Sequence, residues 1–270
     1  MPTMVRPAIL LLSMLLAAGQ AYASACTLRL GVETHYPPHI IKTDTGWSGL
    51  SVELVQRLAD EVDCELTLVE SPWLRAMRQI DKGELDVVTH LTYSPERQPR
   101  FAFIGPHHLE HIYLVADPAS TPELTSVEQL TNEVDLTAIA MLEGAYYGEK
   151  FAKLQTQPGL KRQLVYISNN LDKMALLNAG RVNAVLEDLS VLSYWQTGAT
   201  QTPIRYQPLL EIHQGPVYFG LNRKTLSAAQ LQQLANAWQQ LYDSGELASI
   251  AARYPQKGTE LNVPPPQPRL

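Results

Sequence analysis

The segments LRLGV at residues 28–32 and ELTLV at residues 65–69 decide the fold, because a helix-forming segment lies between them. Residues 50–62 place apolar side chains at positions 50, 54, 55, 58 and 62, which is the spacing of one helix face. Residues 72–82 predict a second helix, whose first turn suits a proline, and LDVVT at residues 85–89 predicts a third strand. This β-α-β-α-β order predicts a mostly parallel sheet covered by helices.

The same alternation restarts in the second half of the chain. We predict further strands over residues 136–142, 163–167, 182–186 and 217–221. Helical spacing predicts helices over residues 147–154, 170–179, 189–196, 227–242 and 246–253. Two such units predict two α/β lobes with a cleft between them. Ligands of open parallel sheets bind beyond the carboxyl ends of the strands, so the residues that follow each strand are the candidate site.

The composition is that of a globular protein, with 45% hydrophobic and 18% charged residues. The formal net charge is −6, which gives no support to a nucleic-acid partner or to binding an anionic membrane surface. We therefore expect a small-molecule ligand, no nucleic acid and no cofactor.

The N-terminus has the pattern of a secretory signal peptide. Arg6 precedes an apolar run over residues 8–18, and the small-residue sites AYA and ASA follow at residues 21–25. The alternative, a transmembrane anchor, needs about 20 apolar residues, and this run is shorter. We expect cleavage after residues 1–23 and a periplasmic location.

An exported chain with two cysteines, Cys26 and Cys64, predicts an intramolecular disulfide. Each cysteine comes just before a predicted strand, which places both at one edge of a sheet. Two alternatives stay open: lipidation of Cys26, although the residue three places earlier is alanine, and a metal site or catalytic thiol.

Several motifs together resemble the polar-amino-acid type of the bacterial extracellular solute-binding proteins, family 3. They are GVETHYPP at 31–38, SGLSVEL at 48–54, PWLRA at 72–76, KGELD at 82–86, LTYSPER at 91–97, LEGAYY at 142–147 and GRVNAVLED at 180–188. The resemblance implies a type II periplasmic-binding-protein fold with a hinge and an interlobe cleft. It further implies a monomer in which residues 24–112 and 217–270 form lobe 1 and residues 113–216 form lobe 2.

The resemblance also implies roles for individual residues. Arg97 matches the arginine that holds a ligand carboxylate, and Thr92 matches a hydroxyl that donates to the same group. Asp188 matches a carboxylate that accepts from the ligand ammonium. Tyr36 and Trp73 match aromatic positions that cover the ligand. The structural alternatives are a surface ion pair for Arg97, a turn threonine, a helix N-cap at Asp188, and core packing of the aromatic rings.

Three further positions are candidates on weaker grounds. Glu33 lies where some relatives place an acid that recognises a basic side chain, and the alternative is a solvated glutamate. Tyr146 replaces the small hydroxyl residue common at its position, which leaves side-chain hydrogen bonding in doubt. His90 replaces a small residue, so its bulk points to an unusual ligand.

These assignments predict reversible capture of an amino acid or a similar small zwitterion. The expected partner is an inner-membrane ABC transporter permease, with a membrane receptor as the alternative. A second alternative is a dehydratase-like enzyme, which would use a cleft carboxylate from Glu33, Glu143 or Glu187 as acid or base. No Ser-His-Asp or Cys-His pattern supports catalysis, and we assign no catalytic residue.

A metal binder is a further alternative, because the chain is locally rich in histidine. His107, His108 and His111 are clustered, and His35 and His39 flank two prolines. Neither group has a fixed helical register, so we expect solvated or interface histidines and assign no metal ligand.

Overall fold

The computed structural model describes residues 26–33, 35–132, 136–199, 205–254 and 261–270. The predicted signal peptide over residues 1–23 lies outside these ranges. Within them, no helix has both the length and the apolar character needed to span a membrane.

The strands of the described ranges form one large sheet and one small hairpin. They are β1 Cys26–Val32, β2 Ile41–Thr43, β3 Gly46–Ser48, β4 Cys64–Glu70, β5 Val87–Thr92, β6 Phe101–Ala116, β7 Ile139–Leu142, β8 Leu164–Ile167, β9 Ala184–Asp188 and β10 Gln207–Asn222. The α-helices are α1 Leu50–Glu61, α2 Trp73–Lys82, α3 Gly148–Leu154, α4 Pro158–Lys161, α5 Leu171–Asn178, α6 Leu189–Tyr194, α7 Ala228–Asp243 and α8 Glu246–Ala251.

The large sheet has two parallel parts joined by two long antiparallel strands. Its order is β4-β1-β5-β10-β6-β9-β7-β8. Strand β1 pairs in parallel with β4 and β5, and β7 pairs in parallel with β8 and β9. Strands β6 and β10 pair antiparallel with each other and connect the two parts. The predicted mixed α/β, two-part architecture of a type II periplasmic-binding fold is confirmed, while the exact lobe boundaries stay a prediction.

The predicted helices form because their apolar spacing meets the sheet. In α1, Leu50, Leu54, Val55 and Leu58 are all buried, and each such side chain contributes roughly 1.5–3 kcal/mol when it leaves water. Helix α2 ends at Gly83, whose φ of 75° is the left-handed conformation that glycine adopts without steric cost.

The two long strands are the main departure from the predicted pattern. Only residues 217–221 of β10 were predicted, and β6 was not predicted at all. The Gly105-Pro106 and Gly215-Pro216 pairs and several polar residues interrupt the apolar runs of these strands. Pro and Gly are depleted from strand interiors, so the pattern indicates loops where the sheet continues.

The disulfide between Cys26 and Cys64 is present, as predicted. The two residues are register partners at the start of the parallel strands β1 and β4, with Cα atoms 4.5 Å apart. The bond engages the Cys26 sulfur that lipidation would require. It also fixes the edge of the sheet at the end opposite the carboxyl termini of these strands.

Candidate functional site

A cavity lies at the carboxyl ends of β1, β5 and β7. Its walls combine charged, aromatic and amide side chains from both parts of the sheet. The lining residues are Glu33, Tyr36, Trp73, His90, Thr92, Arg97, Glu110, Ile112, Leu142, Ala145, Tyr146, Tyr147, Asn170, Lys173 and Glu187. Seven of the eight predicted ligand-binding residues lie on this wall, and Asp188 does not. Their contact with a ligand stays a prediction.

Arg97 offers a guanidinium group to this cavity. Its Nη1 donates to the Thr92 carbonyl oxygen at 3.0 Å, and its guanidinium carbon lies 6.0 Å from the centre of the Tyr146 ring. Within the described ranges no carboxylate oxygen lies within 4.0 Å of the guanidinium, so the surface pair with Glu96 does not form. Burial lowers the pKa of Arg97, and the nearby Glu110 carboxyl opposes that shift. A partly buried guanidinium without a carboxylate partner is suited to an incoming anion.

Glu110 is a wall residue that the sequence did not indicate. Its Oε1 accepts a hydrogen bond from the Thr92 hydroxyl at 2.9 Å and lies 3.6 Å from His213 Nε2. Burial raises the pKa of the Glu110 carboxyl to about 8, and repulsion from Asp188 adds to this shift. Glu110 lies on β6, and without that strand no pattern places it near Arg97.

Glu33 follows β1 and points one carboxylate oxygen at the second part of the sheet. Asn170 Nδ2 donates to Oε2 at 3.0 Å, whereas Oε1 is buried and accepts no hydrogen bond of normal geometry. The Trp73 backbone N–H faces the same carboxylate and favours its charged form. Burial raises the pKa of Glu33 to about 7, although the Lys173 ammonium opposes the shift. An unsatisfied buried carboxylate oxygen is costly unless a donor reaches it.

A buried ion pair forms part of the cavity wall. Lys173 Nζ lies 3.2 Å from Glu187 Oε2, and the Lys173 and Glu187 side chains are 3% and 0% exposed. The Tyr36 hydroxyl donates to Glu187 Oε1 at 3.0 Å. Burial raises the pKa of Glu187, while the Lys173 ammonium acts in the opposite direction. The pair thus holds Tyr36 of the first part of the sheet against α5 and β9 of the second.

Asp188 occupies the helix N-cap position that was the structural alternative for it. Its carboxylate accepts from the backbone N–H groups of Ser190 and His111, each at 2.8 Å, and from the Ser190 hydroxyl. It is the N-cap of α6 and is absent from the cavity wall. The adjacent Glu187 occupies the wall instead, because β9 extends two residues beyond its predicted end and successive strand residues point to opposite faces.

Aromatic rings form the sides of the cavity. Tyr36 and Trp73 are 9% and 6% exposed, and Tyr146 stands at the mouth. The Trp73 indole Nε1 is buried without a hydrogen-bond partner. These rings give flat apolar area beside the charged groups, an arrangement typical of small-molecule sites.

Histidines form a second buried group next to the cavity. His39, His107 and His108 are 0%, 0% and 2% exposed, so the expectation of solvated histidines was wrong for them. His35 and His111 lie apart and contact the Lys42 backbone and Glu211 respectively. One ring nitrogen from each of His39, His90 and His108 lies within 4.8 Å of the others, so these residues could hold a metal ion.

The fold and cavity define a two-part α/β protein whose polar cavity has the lining of a small-molecule site. Residues 28–257 match the family "Bacterial extracellular solute-binding proteins, family 3". The chain belongs to this family of solute-binding proteins.

Individual relatives are distant. The "Probable histidine-binding protein" of Campylobacter jejuni subsp. jejuni serotype O:2 is 23% identical over 167 residues, which cover 60% of this chain and 60% of that protein. An ancestral arginine-binding protein bound to arginine superimposes with a TM-score of 0.71 at 20% identity, covering 84% of this chain and 97% of that one. A histidine kinase sensor domain with similarity to periplasmic binding proteins gives 0.73 at 18% identity, covering 89% and 99%. The structural likenesses show the fold.

Proposed function

We propose that this chain reversibly binds a basic amino acid in the periplasm and delivers it to an ABC importer. The observation that carries the proposal is the partly buried guanidinium of Arg97, which has no carboxylate within 4.0 Å among the described residues and shares the cavity wall with two carboxyls whose pKa values are raised. A zwitterion with an additional cation supplies the missing partners of all three groups.

The α-carboxylate of the ligand pairs with Arg97, because a planar guanidinium offers two parallel donors to two oxygens. The α-ammonium lies one carbon away and pairs with Glu110. Thr92 positions that carboxyl through its 2.9 Å hydrogen bond. Glu110 therefore takes the role that the resemblance assigned to Asp188.

The cationic side chain of the ligand extends along Tyr36 and Trp73 to Glu33. The unsatisfied Oε1 of Glu33 accepts from it, which removes the cost of a buried oxygen without a donor. The names of two relatives, one bound to arginine and one a probable histidine-binding protein, agree with a basic ligand.

Isothermal titration calorimetry tests the proposal with arginine, lysine, ornithine and histidine against leucine and glutamate. We expect saturable binding of a basic amino acid and none of glutamate. The Arg97→Ala variant loses about 30-fold or more in affinity, because one partner of a buried charge pair is removed. Arg78 is exposed on α2, so Arg78→Ala is the matched control and retains affinity.

Two results would contradict this assignment. Binding of neutral amino acids with equal affinity would remove the role of Glu33, and unchanged affinity in Arg97→Ala would remove the carboxylate site. Uptake of the labelled amino acid is then compared between wild-type cells and cells that lack the gene. Lower uptake in the deletion strain indicates import, and equal uptake indicates the alternative, a role in reporting the ligand to a membrane receptor.

A further inference from the structure

Three buried imidazoles converge from segments that are far apart in sequence. His39 lies in the turn after β1, His90 lies on β5 and His108 lies on β6. One ring nitrogen from each lies within 4.8 Å of the other two. The His39 ring centre is 4.5 Å from that of His90 and 4.4 Å from that of His108.

The protonation of His39 follows from its neighbours. Its Nε2 lies 3.0 Å from the Ser190 hydroxyl oxygen, and that hydroxyl donates its single proton to Asp188. Ser190 can therefore only accept, so Nε2 of His39 carries the proton. The other ring nitrogen, Nδ1, is unprotonated and carries a lone pair. It is buried and has no hydrogen-bond partner.

The other two rings show the same division between one engaged nitrogen and one remaining nitrogen. His90 Nδ1 lies 2.9 Å from the Thr89 hydroxyl, and its Nε2 is buried without a partner. His108 Nδ1 lies 2.8 Å from His107 Nδ1. Histidines that bind metal ions commonly use the second ring nitrogen in this way, which fixes the tautomer and the ring orientation.

Packing alone does not account for these histidines. Stacking of the His39 and His108 rings, at 23° between planes, resembles ordinary aromatic contact. Ordinary contact gives no reason for leaving His39 Nδ1 and His90 Nε2 buried without hydrogen-bond partners, which costs about 1–3 kcal/mol for each.

We propose that His39, His90 and His108 bind one divalent first-row transition metal ion, with Zn²⁺ or Cu²⁺ as the matching class. Neutral imidazoles suit these ions, whereas Mg²⁺ and Ca²⁺ prefer oxygen. Nitrogens at about 2.0–2.1 Å from a tetrahedral zinc ion lie roughly 3.3 Å apart, so the rings move inward by about 1 Å or less. Three protein ligands leave a fourth position for water, as in other open zinc sites.

The site is distinct from the proposed amino-acid contacts, although His90 borders both. Its test uses no amino acid, so the outcome is independent of the proposed function. Untagged full-length protein is stripped with EDTA, dialysed and titrated with ZnCl₂ and with CuCl₂ by calorimetry. We expect one equivalent to bind.

His39→Gln and His108→Gln lower the metal affinity by about tenfold or more, because each removes one of three ligands. His35→Gln is the matched control, since His35 Nδ1 accepts from the Lys42 backbone N–H and His35 is not one of the three converging histidines, and it retains wild-type affinity. Circular dichroism verifies that each variant is folded. If a variant does not fold, X-ray absorption on the zinc-loaded wild type counts the imidazole nitrogens, and three support the site.

Absence of saturable binding of both ions by the wild type would overturn the proposal. So would unchanged affinity in both folded variants, or a coordination sphere made only of oxygen. Either of the last two results would indicate ions bound at surface carboxylates.

Discussion

The cavity and the histidine cluster lie side by side but differ in the charge of their buried groups. The cluster is defined as His39, His90, His107 and His108. The cavity holds groups of both signs, with Lys173 paired to Glu187 and Arg97 unpaired. The cluster holds only neutral rings. Burial disfavours charge in both places, so it raises the carboxyl pKa values of the cavity and lowers the imidazole pKa values of the cluster.

The difference indicates which ligand each region can accept. The cavity lacks counter-ions for specific groups, and a zwitterion with an extra cation can supply them. The cluster lacks no counter-ion but presents lone pairs without donors, which suits a Lewis acid. Because His90 borders both regions, substitutions that affect one region alone are the way to separate them.

The largest expected effect comes from the buried ion pair of the cavity. Lys173→Met leaves the Glu187 carboxylate buried without its cation, and we expect the free energy of unfolding to fall by about 3–5 kcal/mol. Urea unfolding followed by circular dichroism measures this change.

The exposed pair of Lys153 and Glu149 on α3 provides the control for that experiment. Lys153→Met makes the same chemical change where water already solvates both partners, so the free energy of unfolding stays nearly constant. An equal fall in the free energy of unfolding in both variants would contradict the prediction, because it would show that burial does not increase the contribution of the Lys173–Glu187 pair.

The cavity also predicts a pH dependence of stability that is opposite in sign to that of the cluster, whose lowered imidazole pKa values make stability fall as the pH falls. Because the folded-state pKa of Glu33 is raised from 4.5 to about 7, the folded protein binds a proton that the unfolded chain has released in this interval. The Glu33 contribution to stability is therefore most favourable below pH 4.5 and is lost as the pH rises to 7.

Glu33→Gln removes that dependence. Relative to wild type, the variant gains about 2–3 kcal/mol in unfolding free energy between pH 4.5 and pH 7.5. Denaturant unfolding of both proteins across this range gives the difference, with exposed Glu123→Gln as the control. A difference that stays constant with pH would show that Glu33 titrates normally in the folded protein.

Much of the fold was predictable because local patterns are consistent with it. The apolar positions of α1 lie on one face, and the motif ending at Arg97 places that residue after β5. Lys173 lies in a predicted helix, in the apolar stripe with Met174 and Leu177, and this position was the available signal of its burial.

The rest depends on β6, which no local pattern predicts. Glu110, His107 and His108 reach their positions only because β6 and β5 both pair with β10. The histidine cluster combines positions 39, 90 and 108, and its members are neighbours only after the sheet has formed. Sequence spacing describes contacts along one helix or strand, so it cannot show a group assembled from a turn and two separated strands.

The smallest expected effect concerns His90, the residue that borders both the cavity and the histidine cluster. His90 has a φ of 53°, a left-handed conformation that asparagine tolerates better than most residues, so His90→Asn keeps the backbone unstrained. We expect the zinc affinity to fall by about tenfold through loss of the Nε2 ligand. The basic amino acid loses less, since Arg97, Glu110 and Glu33 remain. Calorimetry with each ligand alone gives both affinities, and a larger loss for the amino acid than for zinc would assign His90 to the cavity instead of the cluster.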